Sequence, residues 1–478
     1  MTAIASPQRR SSMYPPVDQI LTVEAMRAAE EALIAQDSSV ELLMDIAGRG
    51  AAEWVWRMAG HHKVTVLCGP GNNGGDGDVI AEAIRAMGGK VAVVAAMEPR
   101  TAAARNARSL YRGEVLAPDA DPHGDALVDC LFGSGLVRPL SDEHFALLAR
   151  LAVNHRHRIA IDLPSGVQSD NGALLNADLP QYDLTVALGA WKYAHFLMPA
   201  NAIMGEMRLV GIGVPPVAGA GRVIRRPKLA APAADAHKYR RGLLAVVGGE
   251  MPGAAVLACS AAQGGGAGYV KLFAANASGV PADVVVNGGK LSEVLTDDRN
   301  TAILVGPGLG RGGDARERLA TALADSVPAV IDADALLLLG ERQLSERSVP
   351  LIATPHDGEM KALETTFGCS GAGSKIDRAR ELARESGIIV VFKGPDTIVA
   401  APDGRLACAP RASSWLSAAG TGDVLAGVIA SRLATGSEAF TAACEGIWLH
   451  GEAARLCGPA LSAARLAAAV PTALAACL

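Results

Sequence analysis

Residues 63–77 read KVTVLCGPGNNGGDG, an apolar run followed directly by a glycine-rich segment. The valine-rich run at 63–68 predicts a buried strand of a parallel sheet. A helix is predicted near 79–87 and a second strand at 90–96. The stretch therefore indicates a βαβ unit, with the glycine-rich loop at the carboxyl end of its first strand, where ligands bind in such sheets.

The glycine-rich segment 69–77 has two interpretations. Its backbone N–H groups can face an anionic ligand, helped by the positive end of the next helix, while Asn72, Asn73 and Asp76 supply oxygen ligands. Alternatively, the segment is only a tight turn between strand and helix. It is not a P-loop, because no Gly-Lys-Ser/Thr follows, and it does not match the dinucleotide fingerprint in its usual frame.

The strand pattern continues through the first half of the chain. Further strands are predicted at 125–132, 158–162, 183–188 and 208–212, with a helix at 141–153. Asp129 and Asp162 lie at strand ends, and Ser165 follows on the next turn. Carboxylate and hydroxyl oxygens suit a hard cation. Two alternatives stay open: Ser165 as a helix cap, and a strand-end aspartate as a general acid or base.

The composition changes between residues 214 and 236, which are rich in proline, alanine and glycine. We place the domain boundary in this segment, giving domains 1–225 and 226–478, and predict that residues 1–16 form a loose tail. The second domain repeats the α/β pattern. Its strands are predicted at 242–247, 269–273, 302–305, 330–332, 351–353 and 388–392, with a helix near 254–263 and a hairpin around Asp403-Gly404.

The turn Gly420-Thr421-Gly422-Asp423 precedes an apolar helix in the second domain. The N–H groups at the start of that helix form an anion site, and Asp423 suits a base that takes a proton from a hydroxyl during phosphoryl transfer. The alternative is Asp423 as an ordinary N-cap. The segments at 393–397 and 355–359 add a lysine, a threonine, a histidine and carboxylates at other strand ends, which favours a catalytic site.

Composition and charge exclude several classes of function. Half of the 478 residues are apolar and only 4% are aromatic, which suits helices packed on parallel sheets. The net charge is −5 and the sequence contains no basic stripe, so we expect no nucleic-acid partner. No stretch predicts a membrane span or a signal peptide, and the eight cysteines lack a CxxC motif, which predicts reduced cysteines and a cytoplasmic location.

Several of these motifs together resemble two known families. The first half resembles the NAD(P)H-hydrate epimerases in GPGNNGGDG (69–77), VDCLFGSGL (128–136) and IDLPSGV (161–167). The second half resembles the ADP/ATP-dependent NAD(P)H-hydrate dehydratases in GPGLG (306–310), ATPHDGEM (353–360), KGPDT (393–397) and AAGTGDVLAG (418–427). The resemblance implies a Rossmann-like three-layer first domain and a ribokinase-like second domain.

The resemblance also implies a function and a set of site residues. The first domain would interconvert the R and S epimers of hydrated NADH and NADPH, and the second would dehydrate the S form with ADP or ATP. Asp162 and Asp423 would be catalytic. The hydrate-binding positions would be Asn72, Asn73, Gly74, Gly75, Asp76, Gly133, Ser134, Gly135, Leu136, Val137, Arg138, Pro139, Asp162, Ala254, Gly308, His356 and Asp423. The nucleotide-binding positions would be Lys393, Gly394, Pro395, Asp396, Thr397 and Gly422.

The resemblance implies cofactors as well. Asn73, Asp129 and Ser165 match potassium-binding positions, and Mg²⁺ would accompany ADP or ATP in the second domain. Separately from the resemblance, we infer from its chemistry that Glu359 helps to hold Mg²⁺ through water. We further predict a homo-oligomer whose partners are otherwise small molecules, without nucleic acid or membrane.

The sequence departs from the dehydratase pattern at two places, and two other functions compete with the one that the resemblance implies. Asp357 stands where the dehydratases often have proline, and residues 413–416 replace a segment that is usually rich in glycine and asparagine. One rival is a kinase of a vitamin or sugar hydroxyl, because a ribokinase-like fold serves many substrates. The other is a non-catalytic first domain, against which the retained Asp76, Asp129 and Asp162 argue.

Overall fold

The computed structural model describes residues 15, 17–36, 38–274, 278–295, 297–324, 326–344 and 347–478. It contains two compact units, Met1–Arg222 and Val223–Leu478. The predicted class of two α/β domains is confirmed. The tail predicted at 1–16 lies, apart from Pro15, outside the described residues.

The first unit is built on a seven-stranded parallel sheet in the order β4-β3-β2-β5-β6-β7-β9. Its strands are β1 (Gln19–Leu21), β2 (Val64–Cys68), β3 (Val91–Ala95), β4 (Glu114–Leu116), β5 (Gly124–Cys130), β6 (His155–Ile161), β7 (Leu184–Leu188), β8 (Trp191–Lys192), β9 (Glu206–Val210) and β10 (Gly221–Val223). Its helices are α1 (Val23–Ala35), α2 (Val40–Met58), α3 (Asn72–Ala86), α4 (Ala102–Leu110), α5 (Asp142–Val153) and α6 (Ala200–Ile203). The short strand β1 pairs with β8 and β10.

Alternation along the strands of this sheet produces two separate apolar cores. Val66 of β2 belongs to the core formed with α2 and α3, whereas the neighbouring Leu67 belongs to the core formed with α5. Successive side chains of a strand point to opposite faces, so helices cover both sides of the sheet. This arrangement is the predicted Rossmann-like three-layer architecture.

The second unit contributes nine sheet strands in the order β13-β12-β11-β14-β15-β16-β17-β18-β19, of which only β18 runs in the opposite direction to the rest. Its strands are β11 (Leu243–Val247), β12 (Tyr269–Phe273), β13 (Val285–Asn287), β14 (Asn300–Val305), β15 (Ala329–Ile331), β16 (Leu351–Ala353), β17 (Ile389–Phe392), β18 (Ile398–Ala400) and β19 (Leu406–Cys408). Its helices are α7 (Pro252–Gly264), α8 (Leu291–Leu295), α9 (Gly313–Ala324), α10 (Asp334–Leu338), α11 (Asp357–Thr366), α12 (Lys375–Ser386), α13 (Thr421–Ala434), α14 (Ala439–Cys457) and α15 (Ala463–Ala475). The predicted hairpin around Asp403-Gly404 is the β18–β19 pair.

One predicted element is wrong in its bounds. The helix expected near residue 79 begins at Asn72, so most of the glycine-rich segment is helical rather than a loop. Close packing is the reason for the glycines. A Cβ on Gly74 would lie 2.0 Å from the Gly69 carbonyl oxygen, and one on Gly77 would lie 2.8 Å from the Cys68 sulfur. The glycines let α3 approach β2 and β5 backbone to backbone.

Two further expectations concern the cysteines, which are predicted to be reduced, and membrane spans, of which the sequence predicts none. Cys68, Cys130, Cys259, Cys408 and Cys477 are buried, while Cys369, Cys444 and Cys457 are partly exposed. Within the described ranges, none of the helices has the length and apolar character needed to cross a bilayer.

Candidate active sites

The first candidate site lies where the strand order of the first unit reverses. β2 runs to β3 on one side and β5 to β6 on the other, so the loops after β2 and β5 diverge at their carboxyl ends. A crevice forms at such a switch point and is the usual ligand site of open α/β sheets. Residues 69–77 follow β2 and residues 133–139 follow β5, which brings two predicted substrate-binding segments together.

Among the described residues, α3, α6, α7, α10 and α13 begin without a side-chain cap, and three of these five helices carry predicted site residues. Helices α1, α2, α4, α5, α11, α12, α14 and α15 each begin with a residue whose side chain accepts a hydrogen bond from a backbone N–H of the first turn. The first N–H groups of the uncapped helices are available to an anionic ligand. Of these helices, α3, α7 and α13 carry predicted site residues in their first turn: Asn72, Ala254 and Gly422.

Asp162 is held in an unusual conformation at the end of β6. Its φ is +65°, a left-handed value that few non-glycine residues adopt. Its carboxylate accepts hydrogen bonds from the Ser134 N–H at 3.2 Å and from the buried ammonium of Lys192. Burial alone raises the pKa of Asp162, but the charge and hydrogen bond of Lys192 outweigh burial and hold it below its ordinary value. The sequence motifs did not identify Lys192. The signal that could have found it is a lysine within a largely apolar segment, WKYAHF (191–196).

Asp76, on the first turns of α3, has the opposite protonation tendency. Burial raises its pKa well above the ordinary value, and the nearby negative charges of Asp162 and Glu30 raise it further. One carboxyl is thus disposed to hold a proton while its neighbour stays ionised. Two carboxyl groups whose environments separate their pKa values suit acid–base work.

The loop at 133–139 forms the exposed rim of this site. Ser134 contacts Asp162 as described, and Val137 is 76% exposed. A Cβ on Gly133 would lie 3.2 Å from the Asn73 side-chain carbon, which places this loop directly against α3. Gly135, Arg138 and Pro139 are exposed, and Leu136 is half-buried.

The predicted cation ligands also gather in this region. The Ser165 hydroxyl donates to Asp129 at 2.7 Å, and the Ser165 N–H donates to the second oxygen of that carboxylate at 3.0 Å. The Tyr182 hydroxyl also donates to Asp129. Burial raises the pKa of Asp129, and these hydrogen bonds oppose it. Since the Ser165 side chain bonds Asp129 and the Phe132 backbone, the interpretation of Ser165 as a helix cap is wrong.

Asn73 is the third predicted cation ligand. Both polar atoms of its side-chain amide are buried and lack a hydrogen-bond partner within the described residues. A buried unsatisfied amide is costly, so a ligand or ion is the expected partner. The orphaned amide oxygen, the Ser165 hydroxyl, the Phe132 carbonyl and the Asp129 carboxylate are oxygen donors of the kind that a hard cation takes.

The second candidate site also lies where the strand order reverses, between β11 and β14. Gly308, in the loop after β14, has φ +64°, and a Cβ there would lie 2.1 Å from the Met251 carbonyl oxygen. The loop therefore packs against the start of α7, where Ala254 donates its N–H to Met251. Two more predicted hydrate-binding positions are brought together in this way.

Lys393 lies between carboxylates of neighbouring strands and helices. Its ammonium contacts Asp332 at 2.7 Å and Glu359 at 3.8 Å, and the Thr354 hydroxyl donates to the same Asp332 oxygen at 2.6 Å. Burial lowers the pKa of Lys393, but the Asp332 and Glu359 charges outweigh burial and raise it overall. Lys393 therefore stays cationic. Asp332, the first residue of the segment DADAL (332–336), was not among the predicted site residues.

Asp423 lies near Lys393, on the first turn of α13. The N-cap of this helix is Gly420, with φ +86°, so the interpretation of Asp423 as the N-cap is wrong. Burial raises the pKa of Asp423 to about 6, Asp332 adds to the rise and Lys393 opposes it. A Cβ on Gly422 would meet only the Lys393 ammonium, at 3.6 Å, so the space above this turn is open to a ligand.

His356 and Glu359 form the start of α11. The Glu359 N–H donates to the His356 ring at 3.2 Å, and the His356 N–H donates to the Glu359 carboxylate at 2.8 Å. His356 is 62% exposed and so can reach a ligand. Asp357, which replaces the proline of the resemblance, pairs with Lys361 and with Arg378, and these two hydrogen bonds lower its pKa to about 2.

The segment 393–397 is held by a lysine that the sequence analysis missed. The Lys375 ammonium contacts the Asp396 carboxylate at 2.6 Å and the Lys393 carbonyl at 3.3 Å. Asp396 is buried in this ion pair. The Thr397 hydroxyl donates to the Gly394 carbonyl at 2.9 Å. Gly394 and Pro395 are exposed and remain accessible, whereas Asp396 supports the loop from below.

The second departure, at 413–416, forms a short 3₁₀ turn that includes Trp415. Trp415 is 52% exposed. The Thr421 hydroxyl donates to the Leu416 carbonyl at 2.8 Å, which ties this turn to the start of α13.

Comparisons with known proteins match ranges in both halves of the chain. Residues 40–194 match the family model of the YjeF-related protein N-terminus, and residues 244–474 match that of NAD(P)H-hydrate dehydratase. A protein of Gloeobacter violaceus named bifunctional NAD(P)H-hydrate repair enzyme Nnr is 32% identical over 89% of this chain and 90% of its own length. A protein of the same name from Thermosynechococcus vestitus is 32% identical over 92% of this chain and 94% of its own length.

A solved structure is similar to the second unit. It is the ADP/ATP-dependent NAD(P)H-hydrate dehydratase of Bacillus subtilis, co-crystallised with ATP and Mg²⁺. It is 27% identical, with a TM-score of 0.45, and the match covers 52% of this chain and 95% of that chain.

Proposed function

The chain belongs to the family of bifunctional NAD(P)H-hydrate repair enzymes, and we propose that its two sites carry out the two steps of that repair on hydrated NADH and NADPH. The first domain interconverts the R and S epimers at C6 of the nicotinamide ring. The second domain dehydrates the S epimer with an adenine nucleotide.

The observation that carries the second activity is Asp423 beside Lys393 at the start of an uncapped helix. With a pKa of about 6, the Asp423 carboxyl is largely ionised at neutral pH and accepts the proton of the C6 hydroxyl. The hydroxyl oxygen then attacks the terminal phosphoryl group of ADP or ATP, which releases AMP or ADP. Loss of phosphate from C6 and of a proton from C5 forms the C5–C6 double bond and restores NAD(P)H.

Lys393 and the first N–H groups of α13 would stabilise the negative charge of the transferring phosphoryl group. The exposed residues Gly394 and Pro395 offer backbone to the nucleotide, and Gly422 leaves room for it. Thr397 and Asp396 act by holding this loop in place. Gly308, Ala254 and His356 would contact the hydrate.

Magnesium would enter the second site with the nucleotide. Among the described residues, no group of three or more His, Cys, Asp or Glu side chains could hold a metal ion. Mg²⁺ commonly keeps several waters and binds substrate phosphates with one or two carboxylates, so the residues present fit such an ion. Glu359 and Asp332 would hold it through water, and the ion would supply positive charge to the nucleotide phosphates.

In the first domain, inversion at C6 requires the C6–N1 bond to break and re-form. Asp162 would accept the proton of the C6 hydroxyl as this bond breaks, Asp76 would give its proton to the released nitrogen, and both protons would return when the ring closes on the other face. Lys192 keeps Asp162 ionised, while burial keeps a proton on Asp76. The residues Asn72 to Asp76 and the rim 133–139 would bind the rest of the hydrate. The orphaned Asn73 amide supports a potassium ion held with Asp129 and Ser165, and the ion would supply positive charge beneath the rim.

A single assay tests both activities. Purified protein with Mg²⁺ and either ADP or ATP should convert a mixture of both hydrate epimers completely to NAD(P)H, measured by the near-ultraviolet absorbance of reduced nicotinamide. Without the nucleotide, purified R epimer should still equilibrate with S, measured by chromatography. Recovery of neither epimer contradicts the proposal, and recovery of only the S fraction contradicts its first-domain half.

The potassium proposal has its own test. Epimerisation should fall when K⁺ is replaced by tetramethylammonium at constant ionic strength, and Asn73→Leu should remove this dependence. An unchanged rate without K⁺ contradicts it. A homo-oligomer and a cytoplasmic location complete the proposal, and light scattering of the purified protein checks the oligomer.

A further inference from the structure

Helix α1 packs against the first-domain site and adds charged groups that no motif identified. Arg27 and Glu30 are three residues apart and so share one face of this helix. The Arg27 guanidinium nitrogen Nη2 lies 3.3 Å from the position that a Cβ on Gly135 would occupy. Arg27 is therefore in contact with the rim 133–139 that follows β5.

The Arg27 side chain is exposed, and its guanidinium is available to a ligand. Within the described residues, no hydrogen bond or ion pair holds its guanidinium, although its charge acts on Glu30. Other arginines of the same unit are tied to carboxylates, such as Arg85 to Glu82 at 2.7 Å and Arg108 to Asp78 at 2.7 Å. The exposed Arg27 side chain keeps five N–H donors free, in a planar fork.

The first-domain site already contains several carboxyl groups. Asp76, Asp162 and Glu30 place three carboxyl groups around the crevice, and the Lys192 ammonium is bound to Asp162. A hydrated dinucleotide also carries negative phosphate groups. The uncapped N-terminus of α3 and the free guanidinium of Arg27 are positive groups that remain available to them.

We propose that Arg27 binds a phosphate group of the hydrated dinucleotide and thereby contributes to the affinity of the first domain for its substrate. This inference rests on the proposed function of the first domain. The guanidinium fork matches two phosphate oxygens, a geometry that lysine cannot reproduce. Arg27 acts in binding, so it affects KM rather than the proton transfers at the ring.

The test measures epimerisation alone, with the full-length protein and no adenine nucleotide. Arg27→Gln should raise KM for hydrated NADPH roughly 10-fold to 100-fold, the range for a lost charge-assisted contact, and leave kcat nearly unchanged. Arg27→Lys should give a smaller rise. Arg57→Gln is the matched control, because Arg57 is an exposed arginine of α2 that lies over Trp54.

Comparison of two substrates identifies the phosphate. An equal rise in KM for hydrated NADH and hydrated NADPH assigns Arg27 to the pyrophosphate, and a rise confined to hydrated NADPH assigns it to the 2′-phosphate. Either outcome supports the inference. An unchanged KM for both substrates in Arg27→Gln overturns it.

A second measurement separates this inference from the proposed activity. Hydrated NADPH should protect the backbone amides of 23–35 and 133–139 from hydrogen exchange in the wild type, and the protection should weaken in Arg27→Gln at the same concentration. This readout needs no turnover, so it tests Arg27 even if the wild type does not epimerise. Equal protection in both proteins overturns the inference.

Discussion

The start of α3 in the first domain and the start of α13 in the second share the same uncapped geometry but differ in the residues that surround it. Both helices follow a glycine, lack a side-chain cap and point free N–H groups at a sheet edge. In α3 the glycines are required by backbone packing, and the ionised carboxylate and its lysine come from other segments. In α13, Gly422 faces open space, and Asp423, the proposed base, belongs to the same turn. A shared anion-binding helix start therefore does not fix where the catalytic groups come from.

The largest expected effect separates the two sites. Asp423→Asn should lower the dehydration rate on the order of 10²–10⁴-fold, because the base that accepts the hydroxyl proton is lost. Single-turnover kinetics with ADP measure the loss. Epimerisation without nucleotide should be unchanged, and Asp403→Asn in the β18–β19 hairpin serves as the control. Near-normal dehydration would return Asp423 to a structural role.

Replacing a glycine by alanine should change the free energy of unfolding by different amounts at the two helix starts. A Cβ on Gly74 would lie 2.0 Å from the Gly69 carbonyl oxygen, and backbone cannot yield as a side chain can. Gly74→Ala should destabilise the first domain by about 1–3 kcal/mol or more. Gly422→Ala, with its nearest neighbour at 3.6 Å, should keep the stability and raise KM for the nucleotide. Thermal unfolding compares the two variants, and equal stability losses would contradict the contrast.

The protonation of Asp423 predicts a pH dependence that the first domain does not share. The folded pKa is raised to about 6, so the carboxylate is progressively lost as pH falls through that value. Dehydration under kcat conditions should fall about tenfold per pH unit below pH 6. The same profile in Asp423→Asn should be flat over this range. A wild-type rate that is constant down to pH 5 would contradict the assignment.

The smallest effect concerns Asp357, the departure from the dehydratase pattern. His356 has extended backbone angles (φ −82°, ψ 176°), which suit a residue before proline, and residue 357 is the first of α11. Asp357→Pro should therefore change the free energy of unfolding by less than about 1 kcal/mol, since only exposed ion pairs are lost. Denaturant titration measures this. A large loss of stability would show that the pairs with Lys361 and Arg378 brace the second site.

The candidate sites could be predicted from sequence where each residue lies within a recognisable motif. The resemblance implied that Asn73, Asp129 and Ser165 lie together, and the Ser165–Asp129 hydrogen bond brings two of them into contact. The roles of Lys192 and Lys375 could not be predicted from the sequence, for a physical reason. Each reaches its carboxylate from an element with no signature of its own, across 30 and 21 residues of sequence.

By itself, the sequence determined the class of fold, the two glycine-rich segments and the family. Valine-rich runs and glycines report on local backbone conformation and burial, which act over a few residues. Only the tertiary structure decided that residues 72–77 are helical, that Asp423 is not an N-cap, and that Asp162 is paired with Lys192 while Asp76 is not. Packing and charge at close range settle such questions, because a pKa or a backbone contact depends on groups that the chain brings together from distant positions.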